Sequence, residues 1–590
     1  MQFGKEAKTE AVTSPLQATC MRIGGKIAVF REAAMLISMN RAIKALSFAF
    51  VILLSSAAHA ANPELFSPKT GMVVAAQPLA AEAGVMMLNK GGNAFDAAAA
   101  TALALGVVEP SSSGIGGGGF FLLYIAKDKR YVMIDARETS PAAAEHGEIY
   151  DTQSSIDGPQ AAGVPGLLAG VGRLVGKYGV LKRSEVSEPA IRLARDGFRV
   201  GPRLARMIKW RSKAFNAAAR DTFLKKEGES IRQPQLADTL SGFSEHGAED
   251  FYHGETALHL VRDVKNDGGL ISLNDLAAYR AIERKPVIFD YHGFHIVSAA
   301  LPSSGGMTLA HVFGQMKDDD LKQLSTADRT HLLIEAMTRA YRDRNRYLGD
   351  ADFVSIPHDY LDAARLAELR QSIDMQHATP SLDIQGTGEM LSEGQDTTHF
   401  SIIDREGNMV AATLSTNYPF GSGYLSPSTG ILLNDEMDDF ATRPGEPNAF
   451  GLVQGQANGV EPGKRMLSSM SPTFVVGPDR TFILGTPGGS RIISMVLLSS
   501  VGFMLDQAPP QDWVNAPRFH HQFLPDVVQH EPHAFSPKLA AELEKRGHDL
   551  QPLERPYGNM QAILWNRKTG KIMGLVDSRG EGVASESKPR

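Results

Sequence analysis

The run AFDAAAATALALGVV at residues 94–108 carries almost nothing polar around its circumference. A helix of that kind cannot lie on a surface, because it has no face to offer water, and it must be covered on all sides. The segment before it, PLAAEAGVMMLN, predicts a companion helix that Gly91 and Gly92 stop, with Asn93 capping the second. Two short apolar runs follow, FFLLYIA (120–126) and YVMIDAR (131–137), separated by Lys127-Asp128-Lys129-Arg130, and they predict a hairpin whose strands need those helices as a cover. The chain must therefore build helices against a sheet.

Downstream, residues 160–380 are rich in helical spacing, as in HLLIEAMTRAYRDRNRYL (331–348), and no internal repeat is present. Around 374–395 the pattern dissolves into polar, glycine-containing sequence, which predicts an exposed loop. Then THFSIID, MVAATLST, SPTFVVG, RTFILGT, AILWN and KIMGLVD predict strands, with helices at 493–505 and 537–547. Helices covering sheets on both sides give a layered α/β arrangement. With 590 residues, 43% of them apolar, the chain is long enough for two or more domain-sized cores. A net charge of −6 and no long basic run argue against nucleic acid as a partner.

Residues 39–60, MNRAIKALSFAFVILLSSAAHA, have basic residues, an apolar run and an A-x-A site before Ala61, the anatomy of a secretory signal peptide. The apolar run is shorter than the roughly 20 residues a membrane span needs. Translation is expected to start at Met39 or Met35, residues 1–60 to be removed, and the mature chain to be periplasmic or secreted with no membrane span. Cys20, the single cysteine, falls in the discarded segment, so the mature chain has no disulfide and no thiol nucleophile.

The stretch GQDTTHFSIIDREGNMVAATLSTN (394–417) predicts a hairpin with a three-residue loop, Gly407 taking the left-handed position. If Asp404 faces Asn408, Thr397 lies opposite Ser415. His399 and Ser401 then share the Thr397 face, with Thr413 and Asn417 beside Ser415. The other face carries Thr398, Phe400, Ile402, Val410, Ala412 and Leu414, so one face is polar and the other packs. Thr397 is the threonine with polar company. A threonine hydroxyl alone is a poor nucleophile, and the G-x-S-x-G motif is absent. If the bond after Asp396 is cut, Thr397 gains a free α-amine with a reference pKa of about 7.7 to 8.0, able to act as its own base.

DTTHFSIID, GILLNDEMDDF, LSSMSPT and GTPGGSR occur in that order, and with MVVAAQPLAAEAG, EPSSSGIGGGGF, PSSGGMTL, APRFHHQ and DSRGEGVA they span almost all of 65–585. In these motifs the chain resembles the gamma-glutamyltranspeptidases, of the N-terminal nucleophile hydrolase superfamily. The resemblance implies a four-layer αββα sandwich with two stacked, mainly antiparallel sheets. It also implies self-cleavage into a large subunit, 61–396, and a small one, 397–590, paired as a heterodimer. Thr397 is the implied nucleophile, attacking the γ-carbonyl of glutathione or another γ-glutamyl compound to give an ester that water, an amino acid or a peptide resolves. Ser415 matches a threonine that hydrogen-bonds the nucleophile's amine. Gly488 and Gly489 match the oxyanion site, a contribution on the order of 3 kcal/mol per donor. Arg137, Ser468 and Ser469 match the α-carboxylate site, and Asp439, helped by Glu436 and Asn417, the ammonium site. A glutamyl head thus calls for a cation and an anion placed apart. No cofactor or metal is implied.

Two departures stand out. Asp396 occupies a position where an amide or similar residue is expected, with consequences for processing rate. Phe450 stands where several bacterial relatives have a lid tyrosine, which predicts a looser lid and a larger share of hydrolysis; an unchanged transfer-to-hydrolysis ratio in Phe450→Tyr would reject this. Rival readings are weaker. GIGGGGF satisfies G-x-G-x-x-G, but a helix precedes it and a strand follows, the reverse of a dinucleotide site. His520, His521, His530 and His533 lack metal-site spacing. A β-lactam side-chain acylase and an unprocessed binding protein share the fold; Arg137 with Asp439 favours an amino-acid head over the first, and a single band on a denaturing gel would mark the second.

Overall fold

The computed structural model describes residues 66–145, 147–151, 154–381, 397–446, 448 and 452–589. Asp396, Phe450 and the segment 1–60 lie outside the described residues, as does most of the polar stretch at 374–395.

The two alanine-rich helices run Pro78–Asn89 and Ala94–Val108, and every residue of the second is buried. Asn93 fixes where that helix starts. Its Oδ1 accepts from the N–H groups of Phe95 at 2.9 Å and Asp96 at 3.1 Å, while Asp96 accepts from the Asn93 N–H at 3.0 Å. Such a reciprocal cap satisfies otherwise orphaned helix donors and contributes about 1 kcal/mol.

Beneath these helices lies a seven-stranded sheet with all neighbours antiparallel. Its order is Val583–Glu586, Met72–Ala75, Thr397–Ile403, Met409–Ser415, Gly118–Ile125, Arg130–Ala136 and Ile282–Arg284. A second, six-stranded antiparallel sheet runs Lys571–Val576, Gln561–Asn566, Arg480–Leu484, Thr473–Val476, Phe294–Ser298 and Val287–Tyr291. Period-two alternation shows how they stack. Phe121, Leu123, Phe400, Ile402 and Val410 join the alanine-rich helices in one core. Phe120, Leu122, Ile403 and Ala411 point the other way, into a core shared with Phe474, Phe482 and Ile483 of the second sheet and with the helices Thr326–Tyr347 and Ile492–Leu505. The layers are therefore helix, sheet, sheet, helix, and strands buried on both faces need apolar side chains on both. That is why FFLLYI reads as a continuous run.

The predicted register holds: Thr397 pairs with Ser415, His399 with Thr413 and Ile403 with Met409. Gly407, at φ 83°, closes the turn, and the Asp404 N–H donates to Asn408 O at 3.0 Å. The expectation that only one face of this hairpin packs needs correction. Its polar face is buried too, against the second sheet, where His399 Nδ1 meets Thr413 Oγ1 at 2.8 Å and Ser401 Oγ donates to the Gln561 carbonyl at 3.0 Å. Polar groups tolerate that burial because they satisfy one another.

Candidate active site

The Thr397 strand begins in the lining of a narrow cleft. Arg137, Arg344, Ser415, Asn417, Asp439, Ser468, Ser469 and Gly489 share its walls. Residues from several distant parts of the sequence thus converge on one strand end. Thr397 Oγ1 lies 3.4 Å from Ser415 Oγ, directly across the pair, and Ser415 Oγ accepts from the Asn417 N–H at 2.8 Å. Thr398, one residue on, points to the opposite face and donates to Glu109 Oε2 at 2.8 Å. The two adjacent threonines are divided by strand alternation, one into the cleft and one into a structural hydrogen bond.

Asn417 follows the second strand in a left-handed conformation, φ 73°, and its side-chain amide donates to the Asp435 carbonyl at 3.1 Å. Asparagine tolerates that backbone region better than most residues.

Arg137 sits just beyond the Arg130–Ala136 strand, 1% exposed. Its Nη1 donates to Glu436 Oε2, its Nη2 to Asp439 Oδ2, and Glu138 Oε2 lies 3.5 Å away. The guanidinium backbone is pinned in turn, since the Arg137 carbonyl accepts from Tyr279 at 2.8 Å and from Arg465. Burial alone would lower the Arg137 value, but Glu436, Asp439 and Glu138 reverse this and hold it above its ordinary range. Three carboxylates around one cation cannot all ionise easily. Burial pushes the Glu138 carboxyl up to about 7 against the pull of Arg137, and burial, then repulsion from Glu138, Asp439 and Asp435, pushes Glu436 well up.

A glutamyl head calls for a cation and an anion held apart, whereas Arg137 and Asp439 are in contact. Buried charges without a partner are costly, so the protein's own groups close on one another. Glu436 backs Arg137 and is absent from the cleft lining. The Asp439 backbone is held by Gln454 and Asn458, whose amides donate to its carbonyl at 3.1 and 2.7 Å.

Ser468 Oγ accepts from the Met470 N–H at 3.1 Å, and Ser469 Oγ accepts from Arg344 Nη2 at 3.1 Å. Both serine oxygens are thus engaged as acceptors, which leaves their hydroxyl protons to be donated elsewhere. Gly488 (φ 142°) and Gly489 (φ 56°) join the Arg480–Leu484 strand to the Ile492–Leu505 helix through a short turn, and of the two only Gly489 lines the cleft. A helix start of this kind presents N–H groups to developing negative charge.

Sequence reading missed Arg344, Glu138 and Gln454. Arg344 was embedded in an apparently amphipathic helix, and its burial was the one signal that could not be read there. The glycine run has a packing reason: a Cβ on Gly117 would lie 2.3 Å from the Ser415 carbonyl, and one on Gly118 2.3 Å from that of Ala136. His520 meets Ser494 Oγ at 2.9 Å and Gln522 Oε1 at 3.0 Å, while His521 meets Thr338 Oγ1 at 3.0 Å. Elsewhere, His331, Glu335 and His548 bring metal-ligand atoms within 4.8 Å of one another. Glu335 Oε2, however, already accepts from Arg339 and Thr379, each at 2.7 Å.

Residues 80–587 match the family model described as gamma-glutamyltranspeptidase. The chain is 39% identical over 540 residues to the glutathione hydrolase proenzyme of Escherichia coli K12, covering 88% of this chain and 92% of that one. It is 41% identical over 524 residues to the proenzyme of the same name from Pseudomonas sp. A14, covering 86% and 91%. Among solved structures, a cephalosporin acylase from Bacillus halodurans superposes with a TM-score of 0.77 at 28% identity, covering 88% of this chain and 96% of that one. A gamma-glutamyltranspeptidase from Helicobacter pylori superposes at 0.51 with 39% identity, covering 52% and 93%.

Proposed function

Because the chain belongs to the gamma-glutamyltranspeptidase family, we propose that it matures by cutting itself before Thr397 and then cleaves γ-glutamyl amides such as glutathione at that residue. It is an enzyme of the hydrolase and acyltransferase type with the αββα fold. The observation that carries the catalytic reading is the meeting of Thr397 and Ser415 at 3.4 Å in a cleft also lined by Arg137, Asp439 and two serines.

Maturation begins with Thr397 Oγ1 attacking the Asp396 carbonyl. The amide nitrogen leaves as the Thr397 amine, and water hydrolyses the resulting ester to give subunits 61–396 and 397–590. In turnover, the new amine accepts the hydroxyl proton as Oγ1 adds to the donor's γ-carbonyl, and the oxyanion rests against the Gly488 and Gly489 N–H groups. The departing amine takes up a proton. Water or an amino-acid or peptide amine then attacks the γ-glutamyl ester and frees Thr397.

Recognition follows from charge. The donor's ammonium is assigned to Asp439 and Asn417 and its α-carboxylate to Arg137, Ser468 and Ser469, so the substrate inserts its own zwitterion into the Arg137–Asp439 contact. Glu436 serves from behind, holding Arg137.

The cephalosporin acylase likeness supports a second reading, amide cleavage of a β-lactam side chain. The charged lining of the cleft favours an amino-acid head. Export behind residues 1–60 is part of the proposal; among the described residues no helix is long and apolar enough to cross a membrane. Release of p-nitroaniline from γ-glutamyl p-nitroanilide tests the activity, and failure to release it while a β-lactam side chain is removed would favour the second reading.

A further inference from the structure

The cleft holds two arginines in opposite electrostatic situations. Arg137 is surrounded by carboxylates. Arg344, on the Thr326–Tyr347 helix and 1% exposed, touches only neutral oxygens. Its Nε donates to Ser304 Oγ at 2.9 Å, its Nη1 to Asn345 Oδ1 at 2.9 Å and its Nη2 to Ser469 Oγ at 3.1 Å. Among the described residues, no carboxylate lies within ion-pair distance of it. Burial pushes its value down, with the more distant Asp439 among the groups that oppose this.

We propose that Arg344 is a positioning residue for the donor's α-carboxylate, acting through Ser469 and supplying the positive charge that Arg137 already shares with Glu436 and Asp439. This rests on the α-carboxylate reading of the cleft given above. The Arg344 N–H fills an acceptor site on Ser469 Oγ, so the Ser469 hydroxyl is turned outward as a donor. Through Ser304 the same guanidinium grips the neighbouring residue. Ser304 Oγ accepts from Arg344 and donates to the Ser468 carbonyl at 2.7 Å, which the Ser304 N–H also reaches at 2.7 Å. One planar fork therefore sets the loop that carries both serines. A buried cation with no contact anion also favours an incoming carboxylate over a neutral group of the same shape.

The test uses the mature enzyme and two donors, γ-glutamyl p-nitroanilide and the same compound with its α-carboxylate replaced by a carboxamide. In Arg344→Gln, KM for the carboxylate donor should rise about tenfold or more with little change in kcat, while the carboxamide donor is hardly affected, so selectivity falls by the same factor. Arg344→Lys, which keeps the charge but loses the fork, should fall between, with selectivity lowered about threefold. It carries the test alone if the glutamine variant does not mature. Equal losses on both donors, or wild-type selectivity in the variants, would overturn the role of Arg344 and leave the cleft's assignment intact. Wild-type enzyme that accepts both donors equally well would overturn the α-carboxylate reading and this inference with it.

Discussion

Thr397 and Ser415 close the open end of one antiparallel strand pair, their hydroxyl oxygens 3.4 Å apart, with Ser415 held from behind by the Asn417 N–H at 2.8 Å. Register alone creates this meeting. A hydroxyl fixed on one side by a backbone donor is a rigid partner for whatever Thr397 presents.

Ser415→Ala should therefore slow both self-cleavage and turnover, by about tenfold, the value of one hydrogen bond of roughly 1.4 kcal/mol. Ser415→Thr keeps the hydroxyl and should stay close to wild type. Rates of subunit appearance on denaturing gels and of p-nitroaniline release check both.

Arg137 faces Glu436 and Asp439 with separate nitrogens. Lysine supplies a single point charge and cannot hold two carboxylates in that geometry, so Arg137→Lys should raise KM for the donor at least about tenfold. Arg137→Ala leaves buried carboxylates without a cation and should cost about 3 kcal/mol or more in stability as well. Steady-state kinetics and thermal unfolding separate the two effects.

Gly485 ends the Arg480–Leu484 strand beneath the His399 ring, and a Cβ there would lie 2.3 Å from the imidazole. The ring is fully buried and bonded on both sides, so it has nowhere to move. Gly485→Ala should lower stability by about 2 kcal/mol through overpacking, read as a lower Tm.

Burial holds the His399 imidazole down to about 3. An unfolded histidine titrates near about 6.5. With the folded value depressed, its contribution to stability is complete above the unfolded value and is lost as pH falls from there toward 3, at about 1.4 kcal/mol per pH unit. Histidine-labelled NMR should show this ring neutral and unchanged from about pH 8 to 4.5. A resonance moving with a midpoint near the unfolded value would contradict it.

Much of this was legible because it rests on periodicity. Capping by Asn93, the turn at Gly407 and the pairing of Thr397 with Ser415 follow from local chemistry and period-two geometry, and each is where the sequence puts it. What local pattern cannot carry is the second layer. The polar face of the hairpin reads as the face that does not pack, because nothing near it in sequence announces Gln561, whose carbonyl accepts from Ser401. Likewise, Arg344 reads as the charged side of a helix until Ser304 and Ser469, 40 and 125 residues away, close over it. The Arg137–Asp439 contact was hidden for another reason: substrate chemistry suggests separated charges, while an arginine and an aspartate buried together attract each other.

The central claim is that chain cleavage before Thr397 creates the catalyst. Intact-mass and N-terminal analysis of purified wild-type and Thr397→Ala protein, each assayed with γ-glutamyl p-nitroanilide, tests it most directly. Wild type should yield two chains, the shorter beginning at Thr397, with activity; the alanine variant should remain one chain and be inactive. A Thr397→Ala protein that is still cut at this position and still active would contradict the account.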